Sequence, residues 1–305
     1  MAENGQKIWM DGKFVPWEEA NVHVMTHSLH YGVGAFEGIR CYLCDDGRSA
    51  LFRLKRHVER LFDSAAIVDL KIPFSPDEIE EACKEILRMN RMKEGYVRPI
   101  VFIGEGPRGV YPGDIPARVA IISWSWGAYL GEGALDRGIR VKISSYTRHH
   151  VNVMMTKGKV CGNYVNSVLA KKEVYNMGYD EALMLDTEGY VSEGSGENIF
   201  MVRRGQLKTT PLTSVLEGIT RDSVIQIARA HKIPLQEERF TRDELYTSQE
   251  AFFTGTAAEV TPIREVDDRK IGKGEPGPIT KMIQTEFFSI VKGKNPAFAE
   301  WLDYL

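Results

Sequence analysis

The sequence predicts a mixed α+β fold of about two domains. The chain has 305 residues, which at roughly 150 residues per domain suggests two. Short strand-like segments joined by tight-turn residues lie close together, and segments with apolar residues at helical spacing lie between them. Closely spaced hairpins mixed with helices favour mixed sheets over a doubly wound parallel sheet.

Two hairpins are predicted in the first 55 residues. In the first, covering residues 8–15, Asp11 and Gly12 suit the type I′ turn that joins antiparallel strands. In the second, strands at Ile39–Leu43 and 51–52 flank the turn residues 45–47.

The pattern downstream alternates helices and strands. One predicted helix has apolar residues at helical spacing from Leu54 onwards, and another opens with Ser75 as N-cap and Pro76 at the first helical position. Four glycines in 127–138 indicate a connection between domains. Further predicted helices are 163–176, 220–230 and 279–291, and further predicted strands are 96–103, 118–124, 139–145, 181–185, 198–202 and 251–253.

Composition and charge exclude several classes of function. Lys and Arg total 39 against 42 acidic residues, so the net charge of -3 gives no footprint for nucleic acid or an anionic membrane. No apolar run approaches the roughly 20 residues that span a bilayer. Four cysteines in 305 residues do not form a disulfide framework, and a cytoplasmic location is the default expectation.

Three familiar patterns receive ordinary interpretations. A G-x-G-x-x-G match at 104–109 is interrupted by prolines, so we expect a shaped loop and not a dinucleotide site. Cys41 and Cys44 match the C-x-x-C pattern of zinc sites, but a second pair of ligands is missing, so we expect ordinary strand cysteines. His23, His27 and His30 could share a helix face, but packing or hydrogen bonding is a simpler role for them than metal binding.

Three segments are candidate anion sites. Residues 217–222 lead into a helix whose first N–H groups can bind an anion, although a simply capped helix explains them too. Small residues at 253–258 follow a strand and can expose backbone amides. Arg53, Arg56 and Arg60 fall on one helical face, which is either a solvated basic face or a phosphate partner.

Two further segments could carry chemistry. Residues 156–164 place lysines among small and apolar residues before a helix, as a lysine nucleophile requires. Residues 191–198 set Glu193 in a glycine-rich bend between strands, which could present a carboxylate to a cleft or be a plain turn. None of these segments alone identifies an enzyme.

Five blocks together resemble one family, the branched-chain amino-acid aminotransferases of the fold-type IV pyridoxal-phosphate (PLP) enzymes. The blocks are His27-Ser-Leu-His-Tyr-Gly-Val-Gly-Ala-Phe-Glu-Gly-Ile-Arg40, Lys159-Val-Cys-Gly-Asn-Tyr164, Ser192-Glu-Gly-Ser-Gly-Glu-Asn198, Gly218-Ile-Thr-Arg-Asp222 and Gly255-Thr-Ala-Ala-Glu259. The likeness runs from about Ile8 to the C-terminus.

The resemblance implies a two-domain architecture and an oligomer. It places a small N-terminal α/β domain at 1–126, an interdomain loop at 127–137, and a larger PLP-binding domain with a barrel-like β core at 138–305. It further implies a homodimer or a higher homo-oligomer such as a hexamer, with the active site between domains and completed by a neighbouring subunit.

The resemblance also assigns the cofactor residues. Lys159 matches the catalytic lysine that holds PLP as a Schiff base and then moves protons, and only the spacing to Tyr164 selects it over Lys157. Glu193 matches the acid facing the pyridine nitrogen, and Tyr164 the partner of the phenolic oxygen. The residues that match the phosphate site are Arg60, Ile219, Thr220 and Thr256.

The implied substrates are amino acids and 2-oxo acids exchanged in a ping-pong reaction. Arg98 matches the residue that receives the distal carboxylate of glutamate, and Cys161 stands where many relatives have glycine. The residues that match the apolar pocket are Phe36, Trp126, Tyr129 and Tyr164, with Tyr31 and Val110 from the neighbouring subunit. The residues that match the α-carboxylate site are Tyr96, Thr256 and Ala257.

Other functions stay open at this point. A D-amino-acid aminotransferase, an (R)-amine transaminase or an aminodeoxychorismate lyase would keep the same lysine, glutamate and phosphate residues. A non-catalytic PLP-binding protein and a metal-dependent hydrolase are more remote. The aromatic pocket and the Tyr96-Val-Arg98 element favour transamination of leucine, isoleucine and valine with 2-oxoglutarate.

Overall fold

The computed structural model describes residues 6–106, 109–127, 129–131 and 133–305. The chain forms two compact units. Unit 1 comprises Met1–Gly127, Gly158–Gly162 and Ile290–Leu305, and unit 2 comprises Ala128–Lys157 and Asn163–Ser289. The segment that carries Lys159 therefore belongs to unit 1. The domain bounds predicted from the sequence stay a prediction.

Strands, numbered in chain order, build one sheet in each unit. The strands of unit 1 are β1 (Lys7–Met10), β2 (Lys13–Pro16), β3 (Gly34–Phe36), β4 (Ile39–Leu43), β5 (Ser49–Phe52), β6 (Gly95–Ile103), β7 (Ala117–Trp124) and, at the C-terminus, β17 (Leu302–Tyr304). Those of unit 2 are β8 (Ile139–Ile143), β9 (Glu181–Leu185), β10 (Val191–Gly194), β11 (Asn198–Arg203), β12 (Gln206–Thr209), β13 (Leu235–Glu237), β14 (Glu250–Gly255), β15 (Glu259–Val266) and β16 (Arg269–Lys270).

Helices follow the same division. Unit 1 contains α1 (His27–Tyr31), α2 (Leu54–Ile67) and α3 (Pro76–Met89). Unit 2 contains α4 (Ala134–Arg137), α5 (Tyr164–Asn176), α6 (Ile219–Ala230), α7 (Arg242–Tyr246) and most of α8 (Pro278–Val291). Short 3-10 helices cover Trp17–Glu19, Cys161–Asn163 and Pro296–Trp301.

Unit 1 is an antiparallel sheet covered by α2 and α3. The strand order is β17-β5-β4-β6-β7-β1-β2, with β3 paired to β6. Both predicted hairpins are confirmed: Asp11 and Gly12 have φ of 48° and 88°, as a type I′ turn requires, and β4 pairs with β5. Ser75 caps α3 in a capping box with Glu78, as predicted for that helix start.

Unit 2 is a mixed sheet that curls. Its strand order is β10-β9-β8-β15-β14-β11-β12-β13, with parallel pairs β8–β9, β8–β15 and β12–β13. Only Ser195 to Glu197 separate the first strand, β10, from the sixth, β11. Three residues span about 15 Å at most, whereas five strand spacings in a flat sheet total about 24 Å. The sheet must therefore curl, which agrees with the predicted barrel-like core.

Several local predictions needed correction. Glu193 lies within β10, because the predicted glycine-rich bend starts only after Gly194. Arg53 precedes α2 with φ of 53°, so it does not share a helical face with Arg56 and Arg60. The connection predicted at 127–138 contains α4, and its residues 128 and 132 lie outside the described residues.

The G-x-G-x-x-G loop has no following helix in its described part, residues 104–106 and 109–116; residues 107 and 108 lie outside the described ranges. None of the helices in the described ranges combines the length and the apolar composition that crossing a bilayer requires.

Candidate active site

A buried carboxylate joins three elements of unit 1. Glu37, in the bend between β3 and β4, has no exposed surface. Its Oε1 accepts a hydrogen bond of 2.6 Å from Arg60 Nε, and its Oε2 accepts one of 3.0 Å from Arg60 Nη2. The same Oε2 lies 2.7 Å from His57 Nδ1 and accepts from Gly38 N at 3.1 Å. Helix α2 carries both side-chain partners on one face, since His57 and Arg60 are three residues apart.

The charge states of this cluster follow from its burial. Burial alone would raise the pKa of Glu37, but the charges and hydrogen bonds of Arg60 and His57 outweigh it and hold that pKa well below its ordinary range. Burial, with further contributions from Arg60 and Lys159, lowers the pKa of His57 despite the adjacent carboxylate. Near neutral pH, His57 is therefore neutral and donates its Nδ1 hydrogen to an ionised Glu37.

Helix α2 also fixes the backbone of the predicted catalytic lysine. Lys159 N donates to Ser64 Oγ at 2.9 Å, and Phe36 N donates to the carbonyl oxygen of Lys159 at 3.1 Å. Ser64 follows Arg60 by one helical turn. The Lys159 Nζ lies 4.8 Å from the centroid of the Phe36 ring. The structure thus brings Arg60 and Lys159 onto one scaffold.

The Phe36 ring bears a second cation. The Arg98 guanidinium carbon lies 4.9 Å from the same ring centroid and 5.4 Å from that of Tyr96. The Tyr96 ring in turn packs edge-on against Trp126, at 4.6 Å between centroids. Arg98 Nε is buried and hydrogen-bonds to none of the described residues. Unit 1 therefore brings four predicted substrate residues into one chain of ring contacts, and Phe36 links them to Lys159.

Gly38 makes room for Tyr96. A Cβ atom at position 38 would lie 1.7 Å from the Tyr96 hydroxyl oxygen and 2.5 Å from its Cζ. Since real Cβ atoms do not approach that closely, only glycine lets the Tyr96 ring occupy its place.

The two residues predicted to reach a neighbouring subunit, Tyr31 and Val110, have 43% and 76% of their surface exposed. His27 links their two segments: its ring stacks at 4.6 Å from Tyr31, and its Nε2 lies 3.2 Å from the carbonyl oxygens of Gly109 and Val110. His27 is thus a packing and hydrogen-bonding residue, as predicted. The role of Tyr31 and Val110 in a neighbouring subunit stays a prediction.

In unit 2, Glu193 is held on both carboxylate oxygens. Arg148 Nε lies 2.9 Å from Oε1, with both side chains nearly buried, although the pair is not aligned as a hydrogen bond. The other oxygen accepts from Asn198 Nδ2 at 3.3 Å and from Leu216 N at 3.2 Å. Glu193 and Arg148 thus form an ion pair that is nearly excluded from water.

Asn198 connects Glu193 to the start of α6. Its Nδ2 also donates to the carbonyl oxygen of Leu216 at 3.0 Å, and its Oδ1 lies only 1.9 Å from the place that a Cβ atom of Gly218 would occupy. Gly218 is the N-cap of α6 and uses no side chain as a cap. Ile219 and Thr220 are therefore the first two helical residues, a position whose N–H groups have no acceptor within the helix and can bind an anion.

The remaining predicted residues of unit 2 lie in half-buried or exposed positions. Thr256 and Ala257 are half-buried in the turn between β14 and β15. Tyr164 is the first residue of α5 and is half-buried. Tyr129 is 37% exposed and lines one small cavity together with Ala257.

The cysteines and histidines carry no metal cluster: the described part of the chain contains no group of three or more His, Cys, Asp or Glu side chains that could hold a metal ion. Cys41, Cys44, Cys83 and Cys161 are free thiols. Burial raises the pKa of Cys161, so this thiol stays protonated near neutral pH.

Comparison with known proteins identifies the family. The model of the amino-transferase class IV family matches residues 34–266. A branched-chain-amino-acid aminotransferase of Pseudomonas aeruginosa is 52% identical over 301 residues, covering 99% of this chain and 98% of that protein. This chain belongs to the branched-chain-amino-acid aminotransferase family. The predicted family and enzyme class are thereby confirmed.

Solved structures of the family confirm the predicted fold class. A branched-chain amino acid aminotransferase of T.th. with pyridoxamine 5'-phosphate superposes with a TM-score of 0.96 at 49% identity, covering 99% of both chains. The complex of that enzyme with N-(5'-phosphopyridoxyl)-L-glutamate gives a TM-score of 0.95 at 47% identity, again covering 99% of both chains.

Sequence reasoning missed several residues that hold the site together in this aminotransferase. They are Glu37, His57, Ser64, Arg148 and Asn198. One signal was available: His57, Arg60 and Ser64 recur at helical spacing on α2, which marks a polar line on an otherwise buried face. No such periodicity marks Arg148, which reaches Glu193 only through the tertiary fold.

Gly38→Ala should displace the Tyr96 ring. We expect a stability loss of about 1–3 kcal/mol from overpacking and a fall of at least about tenfold in the rate of amino transfer, because the pocket loses its geometry. Thermal unfolding and steady-state rates measure both. Gly196→Ala is the matched control, since its Cβ would meet nothing within 4 Å. Equal behaviour of the two variants would contradict the role of Gly38.

Proposed function

We propose that this chain transfers amino groups between branched-chain L-amino acids and 2-oxoglutarate, with PLP as its cofactor. The observation that carries this proposal is the Phe36 ring, which holds the Lys159 amine and the Arg98 guanidinium at 4.8 and 4.9 Å from its centroid. An aromatic pocket with one buried cation suits an apolar side chain and a distal carboxylate in turn.

The residues of both units fit PLP. An anion can bind at the first turn of α6, at Ile219 and Thr220, because no side chain caps that helix start. Arg60 adds a guanidinium for charge-assisted hydrogen bonds to phosphate. Glu193 offers a buried carboxylate with Arg148 beside it. The family resemblance assigns these groups, with Tyr164 and Thr256, to one cofactor.

Each residue then has a defined task. When bound, the cofactor supplies the aldehyde that accepts the amino group and the electron-poor ring that stabilises a deprotonated α-carbon. Glu193 holds a proton at the ring nitrogen through its negative charge. Lys159 would be the covalent anchor of the cofactor, and its Nζ would be the group that moves a proton at the substrate α-carbon. Tyr96, Thr256 and Ala257 orient the α-carboxylate.

The proposed substrate choice rests on the residues that match the family's apolar pocket, which are Phe36, Trp126, Tyr129 and Tyr164. An apolar pocket distinguishes one methylene by only about 1–3 kcal/mol, so leucine, isoleucine and valine should all react. Arg98, with a buried Nε that no described residue satisfies, receives the distal carboxylate of L-glutamate or 2-oxoglutarate.

We further propose that the protein is a homo-oligomer, at least a dimer. Helix α5 is apolar on both sides: Ala170 and Val174 are buried, whereas Val165, Val168 and Leu169 are 63%, 60% and 40% exposed. Several exposed apolar side chains on one helix are typical of a subunit interface.

We also propose a cytoplasmic location. The four free thiols are consistent with a reducing, cytoplasmic environment.

Lys159→Ala tests the proposed function directly. We expect amino transfer from L-leucine to 2-oxoglutarate to fall by roughly three orders of magnitude or more, because the proton carrier is lost. The visible absorbance of the bound cofactor, seen as a yellow colour, should also change, because residue 159 no longer offers an amine to the cofactor. Lys157→Ala is the matched control: its Nζ forms an exposed ion pair with Glu217, so its rate should stay within about twofold.

The substrate class is tested in the same assay. Single-turnover absorbance changes should be rapid with L-leucine and with L-glutamate. A response to D-alanine or an (R)-amine alone would replace the branched-chain assignment by one of its rivals.

Arg98→Met separates the two substrate types. The value of kcat/KM for L-glutamate should fall roughly a hundredfold, since a charge-assisted hydrogen bond is lost, while that for L-leucine changes by only a few fold. Arg118→Met serves as control, because Arg118 forms a surface pair with Asp11 at 2.7 Å. Equal losses for both substrates would show that Arg98 only shapes the pocket.

Val168→Glu tests the proposed interface. A buried unpaired carboxylate on α5 should shift the protein towards monomers, measured as mass by light scattering during gel filtration. Met89→Glu, at an exposed apolar residue on α3, should leave the mass unchanged. A wild-type protein that runs as a monomer would refute the oligomer.

A further inference from the structure

We propose that Glu37 is the positioning residue of Arg60 and controls phosphate binding through that arginine. This inference rests on the proposed function, in which Arg60 binds the cofactor phosphate. Glu37 itself is assigned no contact with the cofactor.

The geometry of the pair fixes the plane of the guanidinium. Arg60 Nε and Nη2 bond separately to the two oxygens of Glu37, at 2.6 and 3.0 Å. Two parallel bonds of this kind hold the planar group in one orientation, whereas a single bond would let it rotate. They engage one edge of the guanidinium and direct its opposite edge, with Nη1, away from Glu37.

Glu37 is itself held rigidly. His57 Nδ1 and Gly38 N both lie on Oε2, at 2.7 and 3.1 Å, and Glu37 N donates to the carbonyl oxygen of Pro99 at 2.9 Å. The side chain of Glu37 is fully buried, while that of Arg60 keeps 12% of its surface exposed. The rigid member of the pair is therefore the inner one, and the arginine extends outward from it.

Stability alone does not account for such a cluster. Replacing a buried ion pair by apolar side chains is often neutral or stabilising, so a carboxylate with no exposed surface is poorly explained as a stabilising element. Alignment of a binding arginine gives it a role, because a side chain with four rotatable bonds loses much entropy when a ligand must order it.

The charges of the cluster allow an experiment to distinguish alignment of Arg60 from a purely electrostatic effect of Glu37. With His57 neutral, Glu37 and Arg60 cancel, and the pair as a whole offers an anion no net positive charge. Removing the carboxylate would leave the positive charge of Arg60 uncompensated, which by itself would tighten phosphate binding. Loss of alignment would weaken it. The two effects have opposite signs, so the direction of the change in affinity identifies which one governs.

The test compares PLP with pyridoxal, which lacks the phosphate. The apo form of the full chain is titrated with each ligand for the wild type, Glu37→Gln, Arg60→Met and the double variant. We expect Glu37→Gln to weaken PLP binding at least about tenfold and pyridoxal binding less than about twofold. In the Arg60→Met background, Glu37→Gln should add less than about twofold, because there is no arginine left to align.

Controls keep the outcome interpretable. Glu81→Gln makes the same chemical change at an exposed ion pair with Arg88 and should leave both affinities unchanged. If Glu37→Gln does not fold, as judged by circular dichroism, Glu37→Asp replaces it: the charge is kept but the carboxylate is withdrawn by one methylene, and PLP binding should again weaken selectively.

Three results would overturn the proposal. They are an unchanged or tighter affinity for PLP, equal losses for PLP and pyridoxal, and a loss that persists without Arg60. Amino transfer from L-leucine by the PLP-loaded wild type is measured in parallel. If the wild type fails there, the proposed function is wrong; if it succeeds and the pattern above is absent, only the role of Glu37 is wrong.

Discussion

A carboxylate without exposed surface, that of Glu37, lies where the end of β3, the start of β4 and one face of α2 meet. Removing such a charge from water costs several kcal/mol, which only well-placed partners offset. Arg60 and His57 are these partners and both lie on α2. Loss of either one would leave the desolvation cost of the carboxylate without sufficient compensation. The bend and α2 are therefore fixed relative to each other. Ser64 on the same helix accepts a hydrogen bond from Lys159 N and so fixes the backbone of that residue too.

Unit 2 contains a second buried carboxylate that is also held by partners on both of its oxygens. Glu193 lies between Arg148 on one oxygen and the amides of Asn198 and Leu216 on the other. Because Leu216 lies two residues before the N-cap Gly218 of α6, the position of this acid and the start of the helix depend on each other. In both units, a buried charge orients a group proposed to touch the cofactor.

The proposed substrate pocket depends on a different interaction. Aromatic faces attract cations while excluding water, so Phe36 can hold Lys159 and Arg98 near an apolar space. A carboxylate in the place of the Phe36 ring would also attract both cations, but it would repel the carboxylates of the proposed substrates. Gly38 is the backbone position that admits Tyr96 to this group of rings, because a Cβ there would overlap the tyrosine hydroxyl.

The sequence by itself determined the local elements and the family. Turn residues such as Asp11-Gly12, the capping residue Ser75 and the spacing of apolar residues act within a few positions, so they can be read along the chain. The five blocks, including the one around Lys159, were sufficient to predict the enzyme class. The partners of Glu37, Glu193 and Lys159 were decided only by the tertiary structure, because the energy of a buried charge depends on which groups from distant segments surround it, and no local pattern encodes that.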